Sequence, residues 1–320
     1  MNKNNEIDFI LNSYRDKVTD KADGSSLVCK DQEMISWCMD QGVGDALGKL
    51  SHIPSELKKQ GRRTLLQGNC KISSFTQFNP DYLEMLEDFE RNPAAEGVST
   101  YVSNTVEGHS IGRGGNLIQK IQRAYGIPEA KVPKPTLLLK EPIATKKKIG
   151  IHLSIGWSHA GMRFAHPRPR IIYEENLPMI QEFIDENSEY EFVEFGGSSI
   201  KLNNVTNLTG MSLEGSVEKI AECEFFIGLN SGFYHIAVGL GVKTIMIVNL
   251  PAVELMVLPH LVDRTEHNDL TWLYPQCVHL HQDGGNPLVP KLSKDSLKAA
   301  MNGEVFPYWD NKYVEELHEL

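Results

Sequence analysis

The chain has 320 residues, a formal net charge of −10, 41% hydrophobic residues and 23% charged residues. This composition is typical of a soluble globular protein, the length suffices for two domains, and the acidic balance disfavours nucleic acid as a partner. No apolar run is long enough to span a membrane, and the first 29 residues are too polar for a signal peptide, so we expect a cytoplasmic protein. The five cysteines form no CxxC pair, which favours reduced thiols over a zinc or disulfide framework.

The first predicted elements are a strand over residues 34–39, a glycine-containing turn, a helix that Pro54 should kink, and a second strand over 63–67. Strand, turn, helix and strand in this order open a doubly wound sheet. The glycines of the turn could belong to a dinucleotide-binding fingerprint, but the acidic residue that should follow the second strand is missing. On local grounds alone, Asp45 is the cap of the helix that follows it.

The middle of the chain carries weaker patterns. Helices are predicted over residues 82–89 and 116–125. Prolines interrupt residues 128–142, with lysines between them, as in a linker. We therefore place a domain boundary in this segment and predict two domains, residues 1–140 and 141–307.

The second domain has a clearer alternation of elements. A strand over residues 149–154 leads into a turn rich in small polar residues, and a helix over 173–187 and a strand over 190–195 follow. Near the end of the chain, we predict a strand over 277–280 and a helix over 293–301. Alternating strands and helices indicate an α/β domain with a parallel sheet.

Residues 211–250 form the strongest pattern in the chain. Ser212 precedes apolar residues at helical spacing, and a short apolar run then predicts a strand that is buried on both faces. The turn Asn230-Ser231-Gly232 leads into a short helix, a glycine and another buried strand. The free N–H groups and the dipole of such a helix attract anions, so the turn is a candidate phosphate site. An ordinary βαβ unit with a polar turn is the alternative.

Two stretches of the chain resemble the heptosyltransferase-like glycosyltransferases of family 9. The carboxyl-terminal motif of that family is Met-Ser-Leu-Glu, a helix, a strand and Asp-(Ser/Thr)-Gly-x-x-His. Met211–Glu214 and residues 230–235 match it, with Asn230 where the family usually has Asp. The amino-terminal motif, Gly-(Ile/Leu/Met)-Gly-Asp before a helix that contains proline, is matched by Gly42–Asp45. The resemblance covers most of residues 33–305.

The resemblance implies a GT-B fold, in which two doubly wound, Rossmann-like α/β domains face each other across a cleft. A terminal helix at residues 308–320 would pack back on the first domain. The implied activity is that of an inverting, metal-independent glycosyltransferase without a cofactor. Its donor would be a nucleoside-diphosphate sugar, most commonly a heptose on ADP, and its acceptor a hydroxyl of a bacterial surface glycan such as lipopolysaccharide core or capsule. Asp45 is the implied catalytic base that deprotonates the acceptor.

The resemblance also assigns residues to the donor. Arg170 stands where the family has a lysine, with Arg163 or Arg168 as alternatives. The backbone near Met211 would hold the base, and His235 would touch phosphate or sugar unless it only packs its helix. The implied donor-binding residues are Gly44, Ser154, Ser158, Arg170, Met211, Asn230, Ser231, Gly232 and His235.

Asn230 is the main departure from the family pattern. A neutral amide cannot accept a proton as Asp does, but it can donate to a phosphate oxygen, so the exchange indicates a changed donor or lost activity. A non-catalytic nucleotide-sugar-binding protein and a GT-B nucleotide-sugar epimerase or hydrolase therefore stay open. No metal site is predicted, because His279 and His281 share a strand face without further ligands at suitable spacing. The expected partners are the donor and a glycan or lipid-linked glycan acceptor. A peripheral contact with the inner membrane is compatible with such an acceptor.

Overall fold

The structure is a computed structural model, in which the chain divides into two compact units, Met1–Leu138 and Leu139–Leu320. The features predicted over residues 116–125, 155–161 and 308–320 lie outside the described residues. The structure describes residues 35–37, 43–44, 47, 53–61, 64–66, 71–91, 128, 134–141, 143–144, 146–154, 172–197, 199–248, 274, 276–282 and 290–305.

The first unit contains the strand–helix–strand sequence that its residue pattern predicts. Strands β1 (Ile35–Trp37) and β2 (Thr64–Leu66) pair in parallel, and helix α1 (Ile53–Lys59) lies between them in the chain. Pro54 is in the first turn of α1, where its missing N–H removes no hydrogen bond within the helix. This order of elements agrees with the opening of a parallel α/β sheet.

A 3₁₀ helix (Lys71–Phe78) and helix α2 (Pro80–Arg91) continue the first unit. The α2 helix confirms the helix predicted over 82–89. Phe75 and Phe78 are buried and three residues apart, which puts them on one face of a helix with three residues per turn, and their ring centroids are 6.5 Å apart. The sequence analysis missed this element, because it searched for the α-helical spacing.

Part of the proline-containing segment is anchored to the first unit. The Asn79 side chain donates from Nδ2 to the Thr136 carbonyl at 2.9 Å, and its Oδ1 accepts from the Asp81 N–H at 2.9 Å. The Leu138 N–H donates to the Phe78 carbonyl at 2.6 Å. Residues 136–138, which the sequence places in a linker, therefore belong to the packing of the first unit.

The second unit is built on a sheet of six parallel strands in the order β5-β4-β3-β6-β7-β8. The strands are β3 (Lys146–His152), β4 (Glu191–Glu194), β5 (Val205–Asn207), β6 (Cys223–Leu229), β7 (Lys243–Val248) and β8 (Val278–His281). The helices are α3 (Leu177–Glu186), α4 (Leu213–Ala221), α5 (Gly232–Gly239) and α6 (Lys294–Met301). The doubly wound sheet predicted for this half of the chain is confirmed.

The strand order fixes where a ligand can bind. The first strand of this sheet along the chain, β3, lies in its middle. The next strands, β4 and β5, are added outward on one side of β3, and β6 then pairs with the other side of β3. The order therefore reverses between β3 and β6. In sheets of this type, ligands bind in the crevice outside the carboxyl ends of the two strands that flank such a reversal.

The predicted helix boundaries are confirmed by their caps. The Ser212 hydroxyl accepts a hydrogen bond from the Gly215 N–H at 3.1 Å at the start of α4, and Ser293 forms a capping box at the start of α6. After α5, Gly241 adopts a φ of +77°, and its N–H donates to the Val238 carbonyl at 3.0 Å. This left-handed ending is one that glycine adopts without strain, so the chain can turn into β7.

Strand β5 is absent from the sequence analysis. It is three residues long, it lies at the edge of the sheet, and Thr206 and Asn207 are exposed. An edge strand with little buried surface leaves no apolar run to detect. Across the described ranges, no helix is both long and apolar enough to cross a membrane.

Candidate functional site

The candidate site lies at the carboxyl ends of β3 and β6, where the strand order reverses. His152, the last residue of β3, pairs with Gly228 of β6, and Asn230 and Ser231 follow directly after β6. Ser154, two residues beyond β3, is half-buried at the same edge. The structure therefore brings together four of the predicted donor-binding residues, Ser154, Asn230, Ser231 and Gly232.

Ser231 forms the N-cap of helix α5. Its backbone is extended, with φ −145° and ψ 169°, and its side-chain oxygen accepts a 3.5 Å hydrogen bond from the Tyr234 N–H. Gly232 and Phe233 are the first two helical residues, and in the described part of the chain their N–H groups have no hydrogen-bond partner. Two free N–H groups at the positive end of a helix dipole form an arrangement that binds phosphate.

His152 is the residue of this site that the sequence analysis missed. It is 3% exposed, its Nδ1 lies 2.7 Å from the Ser231 hydroxyl oxygen, and its ring centroid lies 4.9 Å from that of Phe233. Burial lowers the pKa of His152 to about 4, and a backbone hydrogen bond with Ser154 opposes that shift. The imidazole is therefore neutral at pH 7.

Gly196 makes room for the His152 ring, and Gly228 lies beside the His152 backbone. Gly196, just after β4, has a φ of +126°, and a Cβ at this position would lie 2.7 Å from His152 Cδ2 and 2.8 Å from Nε2. A Cβ at Gly228 of β6 would lie 3.3 Å from the His152 carbonyl oxygen and 2.9 Å from the Phe226 ring. A side chain at Gly196 would displace the imidazole, whereas one at Gly228 would press on the Phe226 ring and on the His152 backbone.

The loop between β5 and α4 lies against the same edge of the sheet. The Gly210 N–H donates to the Gly196 carbonyl at 2.8 Å, and the Met211 N–H donates to the Leu208 carbonyl at 3.3 Å. The Met211 side chain covers Gly215 of α4, where an added Cβ would lie 3.2 Å from the sulfur. The predicted base-binding residue Met211 is thus held in a loop that is tied to the wall of the His152 site.

His235, predicted to touch phosphate or sugar, lies in the first turn of α5 and has a protein partner. Its Nδ1 lies 2.5 Å from the Tyr274 hydroxyl, and the two rings are arranged edge to face at 5.2 Å. The Tyr274 N–H in turn donates to the Tyr234 hydroxyl at 3.3 Å. Tyr274 precedes β8 and is buried, so it ties that part of the chain to α5. The packing role of His235 is observed, and its contact with a donor stays a prediction.

The two ends of the chain segment between β3 and α3 lie beside the site. Ser154 is the last described residue at one end, and Ile172, the first described residue at the other, donates its N–H to the Leu153 carbonyl at 2.9 Å. The sequence of residues 155–171 includes three arginines and no acidic residue. Ser158 and Arg170 belong to this segment and lie outside the described residues.

The amino-terminal motif is described only in part. Gly44 is helical and buried, whereas Asp45, the predicted base, lies outside the described residues. His279 and His281 of β8 are both buried, and burial lowers the pKa of His279 to about 3. Among the described residues, no group of three or more His, Cys, Asp or Glu side chains could hold a metal ion.

Comparison with known proteins shows a likeness in fold without a likeness in sequence. No family model and no curated protein sequence matches the chain. E. coli heptosyltransferase WaaC with ADP has 10% identity and a TM-score of 0.52, covering 85% of this chain and 100% of that chain. A family 9 glycosyl transferase from Veillonella parvula DSM 2008 has 12% identity and a TM-score of 0.51, covering 84% of this chain and 95% of that chain.

A third likeness is weaker. The iron-containing dodecameric glycosyltransferase TibC from enterotoxigenic E. coli has 14% identity and a TM-score of 0.43, covering 67% of this chain and 59% of that chain. A score at this level does not establish a shared fold. The first two structures do, and they bear out the resemblance that the motifs indicate: the chain has the fold of heptosyltransferases and family 9 glycosyltransferases.

Proposed function

We propose that this protein is an inverting glycosyltransferase of the GT-B type that uses a nucleoside-diphosphate sugar. The donor is most simply a heptose on ADP, and the acceptor is a hydroxyl of a bacterial surface glycan, such as lipopolysaccharide core or capsule. The first unit would bind the acceptor and the second the donor, in the cytoplasm and in reach of a lipid-linked acceptor at the inner membrane.

One observation carries the proposal. The N-terminus of α5, with the unpartnered N–H groups of Gly232 and Phe233, lies at the crevice where the strand order reverses. This is the position at which doubly wound sheets bind phosphates. The likeness in fold to a heptosyltransferase that was solved with ADP supports a nucleoside diphosphate as the ligand.

The donor would be held by residues from three segments of the second unit. The N–H groups of Gly232 and Phe233 would bind the diphosphate, together with Ser154, Ser158 and Arg170 of the β3–α3 segment. The adenine would lie against the backbone near Met211. Because residues 155–171 carry three arginines and no acidic residue, this segment suits a ligand with several negative charges.

The proposed reaction is a direct displacement. Asp45 accepts the proton of the acceptor hydroxyl, and the acceptor oxygen bonds to the anomeric carbon from the face opposite the diphosphate. The bond between that carbon and the diphosphate oxygen breaks at the same time, which inverts the configuration. The α5 N-terminus and Arg170 stabilise the charge of the departing nucleoside diphosphate, so the proposed mechanism needs neither a metal nor a cofactor.

A thermal-shift screen against ADP, UDP, GDP, CDP and CMP, with and without magnesium, tests the proposal. A ligand at about 100 times its Kd stabilises the native state by about 2.7 kcal/mol. A shift with one nucleoside diphosphate that does not depend on magnesium would support the transferase and identify the carrier. A shift that requires magnesium would contradict the metal-independent mechanism, and a folded sample without any shift would contradict the proposal.

Asn230 favours a second candidate function. Asn230 is the residue directly after β6, and it is half-buried beside Ser231. The family motif has an acidic residue at this position. A protein that binds the nucleotide sugar without turnover would give the thermal shift but release no nucleoside diphosphate. An epimerase or hydrolase would act with water as the only acceptor, so product analysis without added glycan separates the three activities.

A further inference from the structure

We propose that His152 is a positioning residue that fixes the Ser231 hydroxyl and, through it, the N-terminus of α5. The proposal rests on the proposed function, because it assigns His152 a part in binding the diphosphate of the donor. His152 lies 79 positions before Ser231 in the chain, and the reversal of strand order brings the two side chains together.

The contacts of His152 hold the imidazole in one orientation. Nδ1 is bonded to Ser231, one ring face lies near Phe233, and Gly196 leaves no room for a side chain on the Nε2 side. Phe233 itself stacks on Phe195, with ring centroids 6.2 Å apart. The ring is thus bordered by Ser231 and Phe233 at the start of α5 and by Gly196 after β4.

The proposed role gives the His152–Ser231 hydrogen bond a direction, with the serine hydroxyl as the donor. A neutral imidazole has one N–H donor and one acceptor nitrogen. The backbone hydrogen bond with Ser154 favours the protonated ring, as a carbonyl that accepts the ring N–H does. In the proposed arrangement Nδ1 is the acceptor, and the Ser231 hydroxyl donates to it across the 2.7 Å contact while accepting from the Tyr234 N–H.

This direction of the hydrogen bond gives the Ser231 hydroxyl and the N–H groups at the start of α5 different roles toward a bound anion. With the hydrogen of the Ser231 hydroxyl directed to His152 in this arrangement, the phosphate oxygens would receive their hydrogen bonds from the N–H groups of Gly232 and Phe233. His152 does not touch the ligand. His152 holds the Ser231 oxygen, which caps α5, so that the N–H groups of Gly232 and Phe233 face the crevice. His152 is therefore a positioning residue and not a catalytic one.

A serine–histidine pair can also act as a nucleophile and its base, and the structure argues against that role. A base whose pKa burial lowers to about 4 is a weak proton acceptor at pH 7. The serine is 7% exposed, and its oxygen already accepts the Tyr234 N–H. Nucleophilic serines need both a competent base and access to the substrate.

Two substitutions at His152 separate positioning from packing. His152→Asn keeps a hydrogen-bond acceptor near the place of Nδ1, whereas His152→Phe keeps a ring without any acceptor. We expect the Kd for ADP to rise about 5- to 10-fold in His152→Phe and less than about 2-fold in His152→Asn. The Kd for adenosine, which has no phosphate, should be the same in both variants and in the wild type. His279→Phe removes another buried neutral imidazole of the same sheet and should leave both constants unchanged.

Ser231→Ala tests whether His152 acts through the serine. If it does, His152→Phe adds no further loss of ADP affinity in the Ser231→Ala background. Isothermal titration of the folded full-length variants, checked by circular dichroism, gives all these constants. Equal loss for ADP and adenosine, no rescue by Asn, or additive losses in the double variant would each overturn the positioning role.

Inorganic pyrophosphate separates a failure of this inference from a failure of the proposed function. A wild-type protein that binds pyrophosphate but no nucleotide would contradict the donor assignment, and the same variants would then be compared by their pyrophosphate affinity. A wild-type protein that binds neither ligand overturns both proposals. Wild-type binding of ADP with unchanged affinity in His152→Phe overturns this inference alone.

Discussion

His152 and His279, two of the buried histidines of the second unit, predict a loss of stability between pH 7 and pH 5. Burial lowers the pKa of His152 to about 4 and that of His279 to about 3, from an ordinary value near 6.5. Both groups are protonated more readily in the unfolded chain than in the native protein. Their contribution to stability is therefore complete above pH 6.5 and decreases as the pH falls toward the native pKa values.

The size of the effect follows from these values. At pH 5 the unfolded chain binds nearly one proton more than the native protein at each histidine, which lowers the free energy of unfolding by about 2 kcal/mol per site relative to pH 7. Glu222 adds little to the change in the free energy of unfolding between pH 7 and pH 5. Hydrogen bonds from Lys219 and Lys148 lower its pKa to about 2, so its contribution is present above its ordinary value near 4.5 and is lost only below it.

Urea unfolding at pH 7, 6 and 5, followed by circular dichroism, measures how the free energy of unfolding changes with pH. These two sites should together lower the free energy of unfolding of the wild type by about 4 kcal/mol over this range, and His152→Asn and His279→Phe should each remove about half of that contribution. Histidine Cε1–H resonances that titrate between pH 4 and 8 provide an independent check, because neither the His152 ring nor the His279 ring should titrate above pH 5. A single-histidine variant with the same pH slope as the wild type would refute the assignment of a neutral, buried imidazole.

Three further changes test separate features of the molecule. Gly196→Ala should lower the free energy of unfolding, measured with urea, by about 2–5 kcal/mol, because the new Cβ would meet the His152 ring at 2.7 Å on a backbone with a φ of +126°. Gly197→Ala is the matched control and should be nearly neutral, because nothing lies within 4 Å of its Cβ. Ser212→Ala removes the cap of α4 and should cost about 1 kcal/mol by the same measurement, and an unchanged midpoint would show that the cap does not contribute. Asp45→Asn should lower sugar transfer by about 10²–10⁴-fold with little change in donor affinity, and unchanged turnover in a coupled assay of released nucleoside diphosphate would exclude Asp45 as the base.

The sequence predicts those features that depend on local patterns. Ser212 and Ser231 cap the helices that follow them, and Gly241 ends α5 in the left-handed conformation, as the pattern of small residues before and after apolar runs indicates. The strands β3, β6 and β7 are buried on both faces, so their apolar runs are detectable without knowledge of the fold.

The contact between His152 and Ser231 depends instead on the order of strands in the sheet. No local pattern states that β3 and β6 are neighbours, and the bond joins residues that are far apart in the chain. A polar residue at the end of an apolar strand was a usable signal, because the carboxyl ends of parallel strands meet at one edge. The Tyr274 contact with His235 is likewise long-range and has no sequence signature.

The most direct test of the account is the affinity for ADP when one N–H group is removed from the start of α5. Gly232→Pro deletes the N–H at the first helical position, where proline fits a helix, and the extended backbone of Ser231 suits a residue before proline. Lys294→Pro makes the same change at the start of α6, after Ser293 with a similar backbone of φ −155° and ψ 167°, and serves as the matched control.

Isothermal titration with ADP should give a Kd about 10- to 100-fold higher for Gly232→Pro than for the wild type, because the lost hydrogen bond has a charged acceptor. Lys294→Pro should bind ADP like the wild type. Equal affinities for the wild type and Gly232→Pro would contradict a diphosphate site at α5, and a folded wild type without affinity for any nucleoside diphosphate would contradict the account as a whole.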